Sequence, residues 1–262
     1  MGKFLLKISL IAAFGVSFLS NAQFRTKDRM DNMEGMDEQM FSYGFFLAAN
    51  NYDYKLVLDP KYGMSNDKLH NLVETKSSYS FGAGLIGKLR LNETFDLRLE
   101  PGLQFVQRDL KFNTQKNSQY AAGTTTNEPF TPLTLTDADM NRTVKSTYID
   151  VPVMLEIHGD RWYNSRPYAA AGVNYLVNLQ SDQKSSDDNQ QGIFRTTTHN
   201  FGWSVEAGIQ FYFSRFKLTP GFRGTFMTNN EIVKDNAETP PYWAAAISTA
   251  QTRAFMFVLK FE

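Results

Sequence analysis

The sequence predicts an all-β protein: an eight-stranded antiparallel up-and-down transmembrane β-barrel with a side-chain-filled interior. Three observations carry that reading. Apolar residues recur at every second position through eight stretches, the connections between those stretches alternate between short and long, and an export signal precedes them. Composition agrees. Of 262 residues, 22 Phe, 12 Tyr and 3 Trp make 14% of the chain, yet the mean hydropathy is −0.38. Apolar side chains dispersed singly through polar sequence give that pair of values, whereas a bundle of membrane-spanning helices does not.

Residues 1–22 read as a signal peptide. Lys3 and Lys7 form its positive start, Ile8 to Leu19 is a 12-residue apolar run, and Ser20-Asn21-Ala22 places small residues before a cleavage point at Gln23. The run is too short to span a bilayer. Cleavage leaves 25 basic against 27 acidic residues, a net charge of −2, so a nucleic-acid partner held by excess positive charge is not expected. The absence of Cys excludes a disulfide framework, a thiolate zinc site, a cysteine nucleophile and a lipid-bearing cysteine. Residues 23–41 form a leader in which Met30, Met33, Met36 and Met40 fall at spacings of 3, 3 and 4 among acidic residues. Two readings stand: a short amphipathic helix touching a periplasmic partner, or a disordered leader. Gly35 and the short length favour the second.

The barrel occupies residues 42–262. Tyr43, Phe45, Leu47 and Ala49 alternate in the first strand, and Tyr79, Phe81, Ala83, Leu85, Leu89 and Leu91 in the second. Phe95, Leu97, Leu99, Leu103 and Phe105 mark the third, Ile149 to Ile157 the fourth, and Ala169 to Leu179 the fifth. Phe201, Trp203, Val205, Ile209, Phe211 and Phe213 give the sixth; Phe216, Leu218, Phe222 and Phe226 the seventh; Phe255, Phe257, Leu259 and Phe261 the eighth. Segments 59–77, 113–143, 180–198 and 229–250 are long and polar, and they alternate with short links at 92–94, 159–165 and 214–215. Tight periplasmic turns and extended outer loops produce that alternation, which places both termini on the periplasmic side of the outer membrane. The apolar faces carry no internal charge, as a lipid-facing wall requires. Lys145, Asp109 and Arg253 share the lipid-facing parity only near the outer rim. Pro101 and Pro220 lie inside strands and predict local distortion, because proline forfeits a ladder hydrogen bond.

Inward parity falls on Lys88, Arg90, Arg98, Glu100, Glu156, Glu206, Lys217 and Arg223. An eight-stranded barrel is just wide enough for side chains to fill, so these are expected to form interior ion pairs and not an ion pathway. A two-residue turn at Ser214-Arg215 pairs Phe213 with Phe216 and, carried along the strands, sets Glu206 opposite Arg223. His70, His158 and His199 fall at different places in this topology, so neither a shared metal site nor a histidine-centred triad is expected. No catalytic, cofactor-binding or metal-binding residues, no cofactor and no small-molecule substrate are expected.

The runs Arg98-Leu-Glu-Pro-Gly-Leu-Gln-Phe-Val-Gln-Arg108, Tyr148-Ile-Asp-Val-Pro-Val153, Arg166-Pro-Tyr-Ala-Ala-Ala-Gly-Val-Asn-Tyr175, Glu206-Ala-Gly-Ile-Gln-Phe-Tyr212 and Phe255-Met-Phe-Val-Leu-Lys-Phe-Glu262 resemble, in order and spacing, the PorT family of Bacteroidota outer-membrane barrels. The resemblance covers roughly residues 42–262. It implies an accessory or assembly component of type IX protein secretion, and of gliding motility where present. The implied partners are outer-membrane lipids and other secretion-system proteins. The alternatives are a structural outer-membrane barrel with no secretion role, or a lipid- or peptide-modifying enzyme at the barrel rim.

Overall fold

Period-two alternation resolves into one closed antiparallel sheet. The computed structural model describes residues 32–60, 63–64, 71–112, 140–185, 194–234 and 244–262, all within the compact unit Asn32–Glu262. The signal peptide, leader residues 23–31, His70 and most of the loop 113–143 lie outside the described residues.

The strands are β1 Phe41–Leu58, β2 Val73–Arg90, β3 Phe95–Leu99, β4 Gly102–Phe112, β5 Asn141–His158, β6 Ser165–Asn178, β7 His199–Tyr212, β8 Lys217–Met227 and β9 Ile247–Phe261. Chain neighbours pair antiparallel, and β1 pairs with β9 from Phe45↔Phe261 upward to close the ring. Both β3 and β4 pair with β2 and β5. They therefore share one place in the wall, and the nine segments make a ring of eight staves. Short links gather at one end, the short-turn end, and the remaining connections at the other, the long-loop end.

The two prolines behave differently. Glu100 and Pro101 interrupt the third stave, so the expectation of one strand running through Pro101 is corrected. The break still binds its neighbours, because Leu85 N donates to Pro101 O at 2.9 Å and Glu100 N to Pro152 O at 3.2 Å. Pro220 stays within β8, and the β7–β8 ladder only skips from Gly208↔Gly221 to Phe211↔Leu218. With no N–H, proline removes one donor, and the register holds on both sides.

Strands β1, β2 and β5 each have 18 residues, against about 9 to 11 for a bilayer crossing. The excess lies at the long-loop end, where β2, β5 and β9 begin inside segments expected as loops. Polarity inverts there. Asp53, Lys55, Glu74, Lys76, Lys145 and Arg253 take the outward positions, while Tyr54, Leu110, Phe112 and Val144 are buried inside. That is the alternation of a sheet standing in water. In β2 the change of phase is made by a bulge, with the ladder to β4 shifting between Ser77 and Gly82.

Below that level the outward wall is apolar. Tyr79 is 89% exposed, Phe222 72% and Leu85 65%, which would be a severe liability in water and is the natural surface of a stave in hydrocarbon. No helix among the described residues is long and apolar enough to cross a membrane.

Two facing glycine pairs make room inside the wall. Gly84 pairs with Gly102, and a Cβ at either position would lie 2.5 or 2.7 Å from the ring of Phe46. Gly208 pairs with Gly221, and a Cβ there would lie 2.9 or 2.4 Å from Tyr168. Each pair is a flat patch of backbone on which one inward aromatic rests.

Candidate functional site

The lumen is filled in layers. Nearest the short-turn end, Lys88 meets Asp96 at 3.2 Å and His158 Nε2 lies 3.3 Å from the same carboxylate. Lys217 pairs with the terminal residue Glu262. One layer up, three cations and three carboxylates interlock: Arg98, Arg223 and Lys260 with Glu100, Glu156 and Glu206, each at most 4% exposed.

Five staves bring a charge to that layer by alternation, since Arg98, Glu156, Glu206, Arg223 and Lys260 each sit an even number of positions from other buried residues on their strands, and Glu100 joins them from the break after β3. Arg98 reaches Glu100 at 3.0 Å and Glu206 at 2.8 Å, and also pairs with Glu156. Arg223 donates from Nε to Glu206 at 2.7 Å and pairs with Glu100. Lys260 lies 3.0 Å from Glu100 and pairs with Glu206. Gln210 donates to Glu156 at 2.6 Å and Tyr168 to Glu206 at 2.7 Å. Within the cluster the formal charges cancel, three against three, so none of the six is left uncompensated.

Above the cluster, Asn50 donates to Gln104 at 2.8 Å, and Asn174 links Asp150 with Ser204 at 3.0 and 2.5 Å. Higher still, Arg108 donates to Thr252 and Tyr148 at 2.7 and 2.5 Å, and its guanidinium lies 3.8 Å from the centre of the Tyr54 ring. The top layer is apolar. Phe194, Ile232, Ala244 and Ala246 come in from the long connections and pack on Tyr54, Leu110, Phe112 and Val144.

Of the residues expected inside, Arg98, Glu100, Glu156, Glu206 and Arg223 come together in one cluster. Glu206 is registered opposite Arg223, and Phe213 N donates to Phe216 O at 3.0 Å across the turn. Lys88 belongs to the separate group with Asp96. Arg90 is outside the lumen network altogether: at the strand end its guanidinium donates to the carbonyls of Asn92 and Glu38 at 3.3 and 3.4 Å. The interior also takes Lys260, Asp96 and Arg108, which have inward parity on their strands but are not among the residues expected to form the interior ion pairs. His158 and His199 end at opposite ends of the barrel, the latter accepting or donating at 2.7 Å to the Tyr175 hydroxyl.

The leader residues that are described fold against the short-turn end. Met36–Glu38 is a single 3-10 turn, so the described part of the methionine series does not build a longer helix, and Met40 is 73% exposed. Asn32 N donates to Asn164 Oδ1 at 2.8 Å, the Tyr212 hydroxyl donates to Asp37 at 2.7 Å, and Arg166 lies 3.4 Å from the same carboxylate. Arg161 stacks 3.9 Å above the Tyr212 ring.

At the opposite end Glu231 fastens two long connections. Its carboxylate accepts from Thr252 N at 2.7 Å and Thr252 Oγ1 at 2.8 Å, and its carbonyl accepts from Thr197 N at 2.9 Å. Burial pushes the Glu231 carboxyl above the usual range, with Arg108 and the Thr252 hydrogen bonds pulling it back only in part. A carboxyl raised by folding stabilises fully below its unfolded pKa, about 4.3, and the contribution is lost as pH rises through the folded value. Amide exchange at Thr197 and Thr252, corrected for intrinsic rates, should therefore slow as pH falls, and Glu231→Gln should flatten that dependence.

A family model described as the outer membrane protein beta-barrel domain matches residues 21–232. No curated protein matches the chain significantly. Among solved structures, the chain is similar to neisserial surface protein A, with 12% identity, a TM-score of 0.38, and 85% of this chain and 98% of that one covered. For OprG from Pseudomonas aeruginosa the values are 14%, 0.40, 83% and 93%. For Ail, the attachment invasion locus protein of Yersinia pestis, they are 6%, 0.34, 84% and 96%.

Proposed function

The chain belongs to the outer membrane protein beta-barrel domain family, and from that premise we propose that it is a non-conducting outer-membrane barrel serving as an accessory or assembly component of type IX protein secretion, and of gliding motility where present. Residues 1–22 direct export and are removed, 23–41 form a periplasmic leader, and 42–262 form the barrel with both termini in the periplasm and the long loops outside.

The filled lumen carries the reading. Among the described residues, a six-membered charge cluster across the middle and packed side chains at both ends occupy the lumen that an unfolded or folded cargo would need. Any part in export then passes through surfaces: the outward wall, the long loops or the leader. The link to type IX secretion rests on the resemblance of the strand sequences to the PorT barrels. The expected result of deleting the gene is retention of type IX cargo in the periplasm, read by proteomics of the secreted fraction, with recovery on re-expression. Normal secretion in the deletion strain would contradict the secretion role and favour a barrel that is structural only.

A further inference from the structure

The outward wall is not uniformly ridged. Across β7, β8, β9, β1 and the edge of β2 it holds a concave groove of about 890 Å³, a volume typical of ligand sites, roughly 300–1,000 Å³. Its floor is made of small outward residues, Ala49, Ala207 and Gly224, and aromatic rings rise on either side of it. Phe222 packs on Phe257 with centroids 5.2 Å apart, and Phe226 meets Phe255 edge-on at 6.0 Å. Gly224, between Phe222 and Phe226 on the outward face of β8, contributes no side chain, and the Phe226 ring leans over it, 3.2 Å from where a Cβ would stand.

Directly above this groove, where the outward face turns polar, three adjacent staves present cations: Arg253 on β9, Lys55 on β1 and Lys76 on β2. Arg253 is registered with Asp53, and Lys55 with Gln251 two positions further along β1. All three cations are exposed, and none has an ion-pair partner among the described residues. Two of the nearby carboxylates are occupied by other donors, and the third, Glu74, is registered with Lys111 on the neighbouring stave. Asp53 accepts from Thr75 Oγ1 and from Tyr54 N, both at 2.8 Å, and Asp109, registered with Lys76, accepts from Thr143 at 2.7 Å. Arg253 stands only two residues from Phe255, about 7 Å along the strand, so one molecule can touch both the cation and the groove.

We propose that this face is a binding site for a phosphorylated, acylated glycolipid of the lipid A type, with an acyl chain in the aromatic groove and its phosphates on Arg253, Lys55 and Lys76. Neighbouring strands are about 4.8 Å apart, so cations on three staves span about 10 Å, wider than a single phosphodiester. A rigid disaccharide with a phosphate at each end fits that span. The choice of the outer leaflet rests on the proposed orientation of the long loops, while the pairing of groove and cations does not.

Native mass spectrometry of the folded barrel released from mixed micelles containing lipid A, cardiolipin, phosphatidylglycerol and phosphatidylcholine tests it. One lipid A should stay bound when the other lipids are stripped. The triple variant Lys55→Ser, Lys76→Ser, Arg253→Ser should weaken that binding about a hundredfold, the combined effect of three basic residues at a lipid surface, and Arg253→Lys should keep most of it. Ala49→Phe and Gly224→Leu, which fill the groove and leave the cations in place, should also release the lipid. Heat-modifiable migration on gels reports whether each variant is folded. Equal retention of cardiolipin or phosphatidylglycerol would overturn the glycolipid assignment. Retention no better than phosphatidylcholine, or a groove closed by a second copy of the chain, would overturn the site. This measurement uses neither secretion nor the direction of insertion, so it stands or falls separately from the proposed function.

Discussion

Replacing Arg223 alone by Met is expected to cost about 3–5 kcal/mol of barrel stability, measured by urea unfolding in lipid vesicles. The cause is the charge count of the buried cluster. Arg223 satisfies Glu100 and Glu206 together, and without it three carboxylates would share Arg98 and Lys260 in a space that water does not reach. The double variant Arg223→Met, Glu206→Gln restores the balance at two against two and should be more stable than the sum of the two single changes allows, by about 0.5–3 kcal/mol. Additive effects would mean that the six residues do not act as one network.

A comparable loss is expected on the other side of the wall. Leu85→Lys places a charge in the outward apolar band, where Leu85 is 65% exposed, and should cost about 2–4 kcal/mol near the bilayer midplane. The control is Gln107→Lys, on the outward face of β4 opposite Lys145 and above the apolar band, where the added cation meets only the like charge of Lys145 and should cost less than about 1 kcal/mol. The comparison by urea unfolding in vesicles locates the hydrocarbon boundary. Equal effects at the two positions would contradict the apolar band as a lipid-facing surface.

The eight-stave architecture was legible in the sequence because lipid forces every spanning strand to keep one face apolar, a local rule that can be read two residues at a time. The Glu206–Arg223 register was legible for a related reason, since a two-residue turn fixes every pair that follows it. Lys260 follows the same local rule, since it has the same parity as Ala254, Met256 and Val258, all buried.

Other features had no local signal. The bulge near Ser77 reverses the facing of β2 between one end and the other, so Val73 points in while Glu74 points out, and period two cannot be carried across it. The strand extensions read as loops in the sequence because their polarity is the reverse of the membrane pattern. Phe194 and Ile232 come from polar, irregular segments, and only the closed ring reveals that they seal its end. Arg90 had inward parity, but its position at the strand end gave its guanidinium backbone carbonyls to bind and kept it away from the carboxylates.

The central claim is that side chains close the lumen and the protein works through its surfaces. Single-channel recording of the purified, folded barrel in a planar bilayer tests it most directly. The filled interior predicts no large steady conductance in the wild-type protein, and a wide, stably open channel would contradict it.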